Sequence, residues 1–212
     1  KASSADYLHI DVMDGNFVNN KTIWSEEVSE IKTNLIKDVH LMIIEPEKHI
    51  DEFINSGADI IDFHVEAARD AVGLINHIKA KGVKVGLAIS PETAVDAISS
   101  YLGMIDQVIV MSVNPGFGGQ VFISEVLDKI RHLRELNSEV DIVVDGGINE
   151  ETGKLAINAG ANILVSGTYL FKNPEERIRL LRNLWLFMDS QNIEFFYSYQ
   201  RLEQKHYFHI LL

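Results

Sequence analysis

The chain has 212 residues, of which 46% are hydrophobic and 24% charged, and its formal net charge is -12. This composition is typical of one globular domain, and the acidic charge argues against binding to nucleic acid or to an anionic membrane. There is no cysteine, no apolar run near the ~20 residues of a membrane span and no signal-peptide core at the start. These absences exclude disulfides and thiolate metal sites and lead us to expect a cytoplasmic protein.

Strand-like apolar runs alternate with helical patterns along the whole chain. The predicted strands cover 7–13, 39–44, 60–65, 83–89, 107–113, 142–144 and 163–165. The predicted helices cover 25–36, 46–55, 70–81, 91–99, 124–136, 150–158 and 174–184. Strict alternation with short loops predicts parallel strands covered by helices.

Seven strand–helix units are one fewer than the eight that close a TIM barrel. Residues 4–6 resemble two later junctions at which a helix ends and a strand begins, so they suggest a preceding helix. We therefore predict an α/β fold, a (βα)8 TIM barrel that lacks its first strand–helix unit at the N-terminus, over residues 1–184. An open doubly wound sheet is the less favoured alternative. Residues 185–212 have no clear period and are predicted as a C-terminal tail that covers an open edge, forms an oligomer contact or is foreign to the fold.

Polar side chains lie at the predicted carboxyl ends of three strands, which is where α/β barrels carry their chemistry. Side chains two apart on a strand share a face, so His9 and Asp11 point the same way. The next strand offers His40, and Asp145 follows a later one. Neutral imidazole with carboxylate suits zinc, iron, manganese or cobalt. The pattern predicts a metal or acid–base site.

Two carboxylates at a metal suggest an epimerisation without a redox cofactor. Asp11 would remove a proton beside a carbonyl and Asp145 would deliver one to the opposite face, or the reverse. A metal would stabilise the enediolate, and Met13, Met42 and Met111 would line it with polarizable groups. For a third strand end, we interpret His64 as a wall histidine and Glu66 as a loop carboxylate.

Glycine-rich loops supply the second half of the predicted site. Residues 114–120 follow one strand, and Gly146, Gly147, Gly167 and Thr168 end the last two. Barrels often bind phosphate at their last loops through backbone N–H groups. No Lys-Ser or Lys-Thr follows the glycines, so none of these loops is a P-loop.

From about residue 4 to about residue 184 the chain resembles the ribulose-phosphate 3-epimerase family. The resemblance is carried by His-Ile-Asp-Val-Met-Asp-Gly (9–15), Val-His-Leu-Met (39–42), Val-Gly-Leu-Ala (85–88), Val-Asn-Pro-Gly-Phe-Gly-Gly-Gln (113–120), Val-Asp-Gly-Gly (144–147) and Val-Ser-Gly-Thr (165–168). It implies interconversion of D-ribulose 5-phosphate and D-xylulose 5-phosphate, with Asp11 and Asp145 as the acid–base pair. It also implies one divalent metal, zinc before iron, manganese or cobalt, on His9, Asp11, His40 and Asp145. The implied substrate contacts are His40, Met13, Met42, Met111, Gly116, Phe117, Gly118, Gly119, Gly146, Gly147, Gly167 and Thr168.

Three departures from the family pattern keep alternatives open. The family's first strand, with its Ser-Pro-Ser segment, is absent; residues 16–22 lack the usual Pro and apolar residue; and the tail after Leu184 has no counterpart. The second departure raises a D-allulose 6-phosphate 3-epimerase, and the others raise a catalytically impaired phosphosugar-binding barrel. A lyase or decarboxylase is weaker because no Lys ends a strand beside the carboxylates. We expect a small sugar phosphate as the ligand and a homo-oligomer as the assembly.

Overall fold

The computed structural model describes residues 7–186 and 209–211, and their strands form one closed barrel in chain order. The strands are β1 (Tyr7–Met13), β2 (Ile36–Met42), β3 (Ile60–His64), β4 (Lys84–Ile89), β5 (Gln107–Met111), β6 (Asp141–Asp145), β7 (Ile163–Ser166) and β8 (His209–Leu211). The helices are α1 (Ser25–Glu30), α2 (Ile50–Asn55), α3 (Ala71–Ala80), α4 (Val126–Leu136), α5 (Glu150–Ala159) and α6 (Pro174–Leu186). Short 3₁₀ segments lie at Pro46–Lys48, Val95–Ala97, Ser99–Tyr101 and Thr168–Lys172.

The predicted barrel with seven parallel strands is confirmed, since β1 to β7 each pair in parallel with the next. The eighth strand is antiparallel: β8 pairs with both β1 and β7. A strand from the 185–212 tail thus occupies the place between β7 and β1 that the sequence leaves open. Residues 187–208 lie outside the described residues, so the division into a barrel domain and a tail stays a prediction. Within 7–186 and 209–211, no helix is long and apolar enough to cross a membrane.

Two hydrophobic clusters lie on the two faces of the sheet. The larger cluster lies between the strands and the surrounding helices and includes Ile10 and Val12 of β1. The smaller cluster lies inside the barrel and includes Met111 of β5. Because side chains alternate along a strand, the same β1 that gives Ile10 and Val12 to the outer cluster turns His9 and Asp11 into the barrel.

The helix predicted over 25–36 is wrong in extent, because it ends at Glu30. The hydroxyl of Thr33 accepts a hydrogen bond from the backbone N–H of Leu35 at 3.0 Å. Such local side-chain bonds compete with helical ones. The chain is therefore free to enter β2 at Ile36, which pairs with β1 from its first residue.

The helix predicted over 91–99 is also wrong, since only the two 3₁₀ segments form between β4 and β5. Lys129 on α4 binds this segment in its observed conformation. Its ammonium group donates hydrogen bonds to the backbone carbonyls of Ser90, Pro91 and Thr93. The carbonyl of Ser90 also accepts the backbone N–H of Thr93 at 3.0 Å, so the ammonium group binds a tight turn at the start of this segment.

We predict that Lys129→Met lowers stability by about 1–3 kcal/mol, because three carbonyls lose a charged donor in a partly buried setting. For a chain of this size, 1 kcal/mol corresponds to a Tm change of about 2–4 °C. Thermal unfolding followed by circular dichroism measures the change. Lys154→Met on α5, where the side chain is exposed, should leave Tm unaltered. Equal Tm values for the two variants would show that the Lys129 contacts do not hold the loop.

Candidate active site

Four side chains from three strands converge inside the barrel. His9 and Asp11 come from β1, His40 from β2 and Asp145 from the end of β6. One ligand atom of each lies within 4.8 Å of the others, and all four side chains are buried. The strand pairing explains the convergence, because Asp11 lies directly beside His40 in the sheet. The structure therefore brings together the complete set of predicted metal ligands.

The two nitrogens of His9 have different surroundings. Nδ1 lies 2.7 Å from Oδ2 of Asp38, which fixes the ring. Nε2 lies 3.3 Å from Oδ1 of Asp11 and 3.9 Å from Oδ2 of Asp145. Among the described residues it is a fully buried nitrogen with no hydrogen-bond partner. A buried polar atom of this kind calls for a ligand.

The charges around His9 favour a cation at this point. Burial by itself lowers the pKa of His9, but the nearby carboxylates of Asp11 and Asp38 together outweigh burial and raise the pKa well above its usual value. The carboxylates that favour a proton on the ring equally favour a positive metal ion beside it. Two imidazoles and two carboxylates form a donor set that suits zinc, iron, manganese or cobalt. On these observations, the residues present fit a divalent metal.

A polar floor lies beneath the cluster at the start of the strands. The amide of Gln107 donates to Oδ1 of Asp38 at 3.1 Å and to Oδ1 of Asp62 at 2.9 Å. Burial and the neighbouring charge of Asp38 raise the pKa of Asp62 well above its usual value. Burial raises the pKa of Asp38, but the hydrogen bond with His9, the charge of that ring and the contacts with Asp62 and His40 together outweigh burial and lower the pKa. Sequence reasoning missed Asp38, although it lies two residues before His40 on the same face of β2.

His40 is held between the cluster and a second histidine. Its Nδ1 lies 3.0 Å from Oδ1 of Asp11 and 3.9 Å from Oδ2 of Asp145. Its Nε2 lies 3.0 Å from Nε2 of His64, whose Nδ1 lies 3.0 Å from Oε2 of Glu66. His64, which we interpreted as a wall residue, therefore contacts a predicted metal ligand directly, and Glu66, which we interpreted as a loop carboxylate, is linked to it through His64.

A cavity of about 290 Å³ opens at the carboxyl ends of the strands, and Asp11 and Asp145 lie in its wall. Eleven of the predicted substrate contacts also line the cavity: Met13, Met42, Met111, Gly116, Phe117, Gly118, Gly119, Gly146, Gly147, Gly167 and Thr168. His40 is fully buried behind the wall and is absent from the lining. Sequence reasoning did not select Ile148, Asn149, Val165 and Tyr169, which also line the cavity.

Two of the cavity glycines have no room for a side chain. Gly146 and Gly147 have left-handed backbones, with φ of 119° and 63°. A Cβ on Gly147 would lie 2.8 Å from the backbone nitrogen of Phe122, and one on Gly146 would lie 2.4 Å from a methyl of Val113. Glycine is thus required here by both conformation and close approach.

The loop after β1 contacts the glycine loop across the cavity rim. The side-chain amide of Asn20 donates to the carbonyl of Gly116 at 2.6 Å. A Cβ on Gly116 would lie 3.1 Å from Val18. The segment in which the sequence departs from the family pattern therefore helps to position one wall of the cavity.

Full burial lowers the pKa of His64 to about 4, whereas an unfolded histidine has a pKa of about 6.5. Because the unfolded chain then binds the proton first, stability is lost as pH falls from about 6.5 to about 4. The loss reaches about 3 kcal/mol from this group. We predict that the free energy of unfolding of His64→Gln falls less between pH 7.0 and pH 4.5 than that of the wild type. Urea unfolding of chelator-treated protein at the two pH values measures the difference. His77→Gln, at a partly exposed position on α3, should keep the wild-type slope. A wild-type slope in His64→Gln would refute the assignment.

The family model and three relatives that match this chain carry the same enzyme name. A family model described as the ribulose-phosphate 3 epimerase family matches residues 1–171. The ribulose-phosphate 3-epimerase of Bacillus subtilis is 44% identical over 180 residues, which cover 82% of this chain and 83% of the relative. The protein of the same name from Schizosaccharomyces pombe is 41% identical over 186 residues, or 84% of this chain and 82% of the relative. A chloroplastic ribulose-5-phosphate-3-epimerase of Arabidopsis thaliana is 44% identical over 178 residues, or 80% of this chain and 63% of the relative.

Solved structures support the fold independently of close sequence similarity. A crystal structure of 3-hexulose-6-phosphate synthase matches with a TM-score of 0.60 at 16% identity, covering 84% of this chain and 99% of that one. A native KDPGal structure matches with a TM-score of 0.58, also at 16% identity, covering 87% and 83%. At 16% identity, this structural similarity is evidence for the barrel fold only.

Proposed function

This chain belongs to the ribulose-phosphate 3 epimerase family of carbohydrate isomerases, and on that premise we propose that it interconverts D-ribulose 5-phosphate and D-xylulose 5-phosphate. The observation that carries the proposal is the position of Asp11 and Asp145. Both lie in the wall of one glycine-lined cavity, and His9 and His40 lie close behind them. Acid–base groups, a predicted metal site and a predicted phosphate site thus share one cavity.

The two aspartates act as the acid and the base. One carboxylate removes the proton from carbon 3 of the ketose, and the other, protonated, delivers a proton to the opposite face of the same carbon. Which one acts first depends on the direction of the reaction. Met13, Met42 and Met111 lie in the same wall and keep water away from the planar, electron-rich intermediate.

His9, Asp11, His40 and Asp145 would hold a divalent metal, with zinc as the first candidate. When bound, the metal supplies positive charge beside the sugar oxygens on which negative charge develops. Asp38 contributes by accepting the Nδ1 proton of His9 at 2.7 Å, which leaves Nε2 directed at the cluster. Carboxylate–histidine pairs of this kind orient metal ligands in many proteins.

The phosphate would lie on the backbone of the glycine loops. Gly147→Ala is predicted to raise KM by about 10–100-fold, because its Cβ would meet the backbone of Phe122 at 2.8 Å and misdirect N–H groups worth about 1.5–3 kcal/mol against a charged ligand. Steady-state kinetics measures the change. Gly82→Ala is the matched control, since Gly82 has φ of 78° but open space around it. A wild-type KM in Gly147→Ala would argue against phosphate binding at this loop.

The length of the sugar decides between the two epimerase candidates. We expect kcat/KM to be at least about 10-fold higher for ribulose 5-phosphate than for allulose 6-phosphate, a ratio within the reach of pocket fit. The reverse ratio would assign the chain to the six-carbon sugar. Stabilisation of the protein by both sugars without turnover of either would indicate an impaired binding barrel. The homo-oligomeric assembly and the cytoplasmic location stay predictions, and the Arabidopsis thaliana relative is named as chloroplastic.

A further inference from the structure

We infer that His64 and Glu66 form a positioning pair that holds His40 in the tautomer with its proton on Nε2 and its Nδ1 lone pair directed at Asp11 and Asp145. The inference rests on the metal site of the proposed function. It assigns a role to two residues that lie outside the cluster of predicted ligands and that the sequence pattern leaves as structural.

The geometry forms an unbroken line of close polar contacts from Glu66 to Asp11. Oε2 of Glu66 lies 3.0 Å from Nδ1 of His64, and Nε2 of His64 lies 3.0 Å from Nε2 of His40. The remaining nitrogen of His40, Nδ1, lies 3.0 Å from Oδ1 of Asp11. Both histidines are fully buried, so water does not compete with these contacts.

Counting protons from the Glu66 end of this line leaves one arrangement. Oε1 of Glu66 accepts the backbone N–H of Ser90 at 2.8 Å, and the carboxylate accepts a second proton from Nδ1 of His64. A neutral imidazole carries one N–H, so His64 presents a lone pair at Nε2. Only one proton fits between two nitrogens 3.0 Å apart, and His40 must therefore provide it from its own Nε2. Its Nδ1 is then the nitrogen that is available to a metal.

The surroundings make this pair rigid. The rings of His40 and His64 stack with centroids 5.1 Å apart and an interplanar angle of 24°. The ring of Phe17, from the loop after β1, also packs against His64, with ring centroids 4.7 Å apart. A ring packed in this way cannot turn over to offer its other nitrogen.

The tautomer can be read directly in the wild-type protein. Protein with ¹⁵N-labelled histidine is loaded with one equivalent of zinc, and long-range ¹H–¹⁵N spectra are recorded. We expect His40 to show zinc coordination at Nδ1 and a slowly exchanging proton on Nε2. Zinc at Nε2 of His40 would overturn the inference. Failure of the wild-type protein to bind zinc at these histidines would reject the metal site of the proposed function and the inference with it.

Zinc affinity, measured by competition with a chromophoric chelator, separates positioning from packing. His64→Phe retains a ring but no acceptor, and we expect about 10–100-fold weaker binding, the usual cost of losing an outer partner of a metal ligand. His64→Gln keeps an acceptor near the position of Nε2 and should recover most of the affinity. Wild-type affinity in His64→Phe, or an equal loss in both variants, would overturn the pairing.

The role of Glu66 is tested by comparing Glu66→Gln with the matched control Thr93→Val. Glu66→Gln has one acceptor oxygen for two groups of donors, so it should weaken zinc binding by destabilising the required tautomer of His64. Thr93→Val removes a hydroxyl that donates to the same carboxylate but leaves both of its oxygens, and its zinc affinity should equal that of the wild type. Equal affinity in Glu66→Gln and Thr93→Val would mean that Glu66 only fastens the loop.

Discussion

Asp11→Asn and Asp145→Asn are each expected to lower kcat by about 10²–10⁴-fold, which is the usual contribution of a positioned acid or base. Asparagine has nearly the shape of aspartate but cannot act as a general acid or base at neutral pH. Both side chains lie in the cavity wall, so their loss should affect the chemical step more than the fold. Initial rates with ribulose 5-phosphate, together with thermal unfolding, measure the two effects separately.

Asp141→Asn is the matched control for this pair. Asp141 begins β6, the strand that ends in Asp145, and it accepts a hydrogen bond from Asn162 at 2.6 Å. Asparagine can still accept this bond, so both kcat and Tm should stay close to the wild-type values. Near-normal turnover in either Asp11→Asn or Asp145→Asn would contradict the two-base assignment. A large loss in Asp141→Asn would show that the assay reports general damage.

Removal of the metal is the second change with a large expected effect. Dialysis against a chelator should abolish measurable turnover, and one equivalent of zinc per chain should restore it. Zinc at about 100 times its Kd should also stabilise the folded state by about 2.7 kcal/mol. For a chain of this size, that corresponds to a rise in Tm of about 5–10 °C.

Two histidine variants show where the zinc effect arises. His9→Gln removes the buried nitrogen that has no hydrogen-bond partner within the described part of the chain, and we expect it to lose the zinc-dependent rise in Tm. His77→Gln replaces a histidine that lies 2.8 Å from Asp51 on the surface, and the full rise should persist. Full turnover after exhaustive chelation, or a zinc effect that survives in His9→Gln, would argue against a metal at this cluster.

The two-residue repeat of a strand predicted which candidate side chains would share the barrel interior, because the strands of a barrel are regular. His9 and Asp11 share a face of β1 in any register, and the carboxyl ends of parallel strands meet at one rim. The convergence of four candidate ligands from three strands could therefore be predicted before their distances were known. The same reasoning could not reveal the contact between His40 and His64, because it depends on ring orientations that packing decides.

Local patterns failed where contacts from other elements decide the backbone. The segment 91–99 has helical spacing, but Lys129 holds three of the nearby carbonyls from α4. Likewise, no periodicity in 185–212 indicated β8, since a strand of three residues is defined by its neighbours β1 and β7. Contacts between residues that are far apart in the chain are the part of the fold that could not be predicted from this sequence.

The most direct test of two-base epimerisation is the origin of the hydrogen at carbon 3. Ribulose 5-phosphate is incubated with the zinc-loaded protein in heavy water, and the xylulose 5-phosphate that forms is analysed by NMR. With separate base and acid, the product should carry deuterium at carbon 3, because the delivering carboxyl exchanges its proton with the solvent. A product that retains its original hydrogen at carbon 3 would contradict the proposed roles of Asp11 and Asp145.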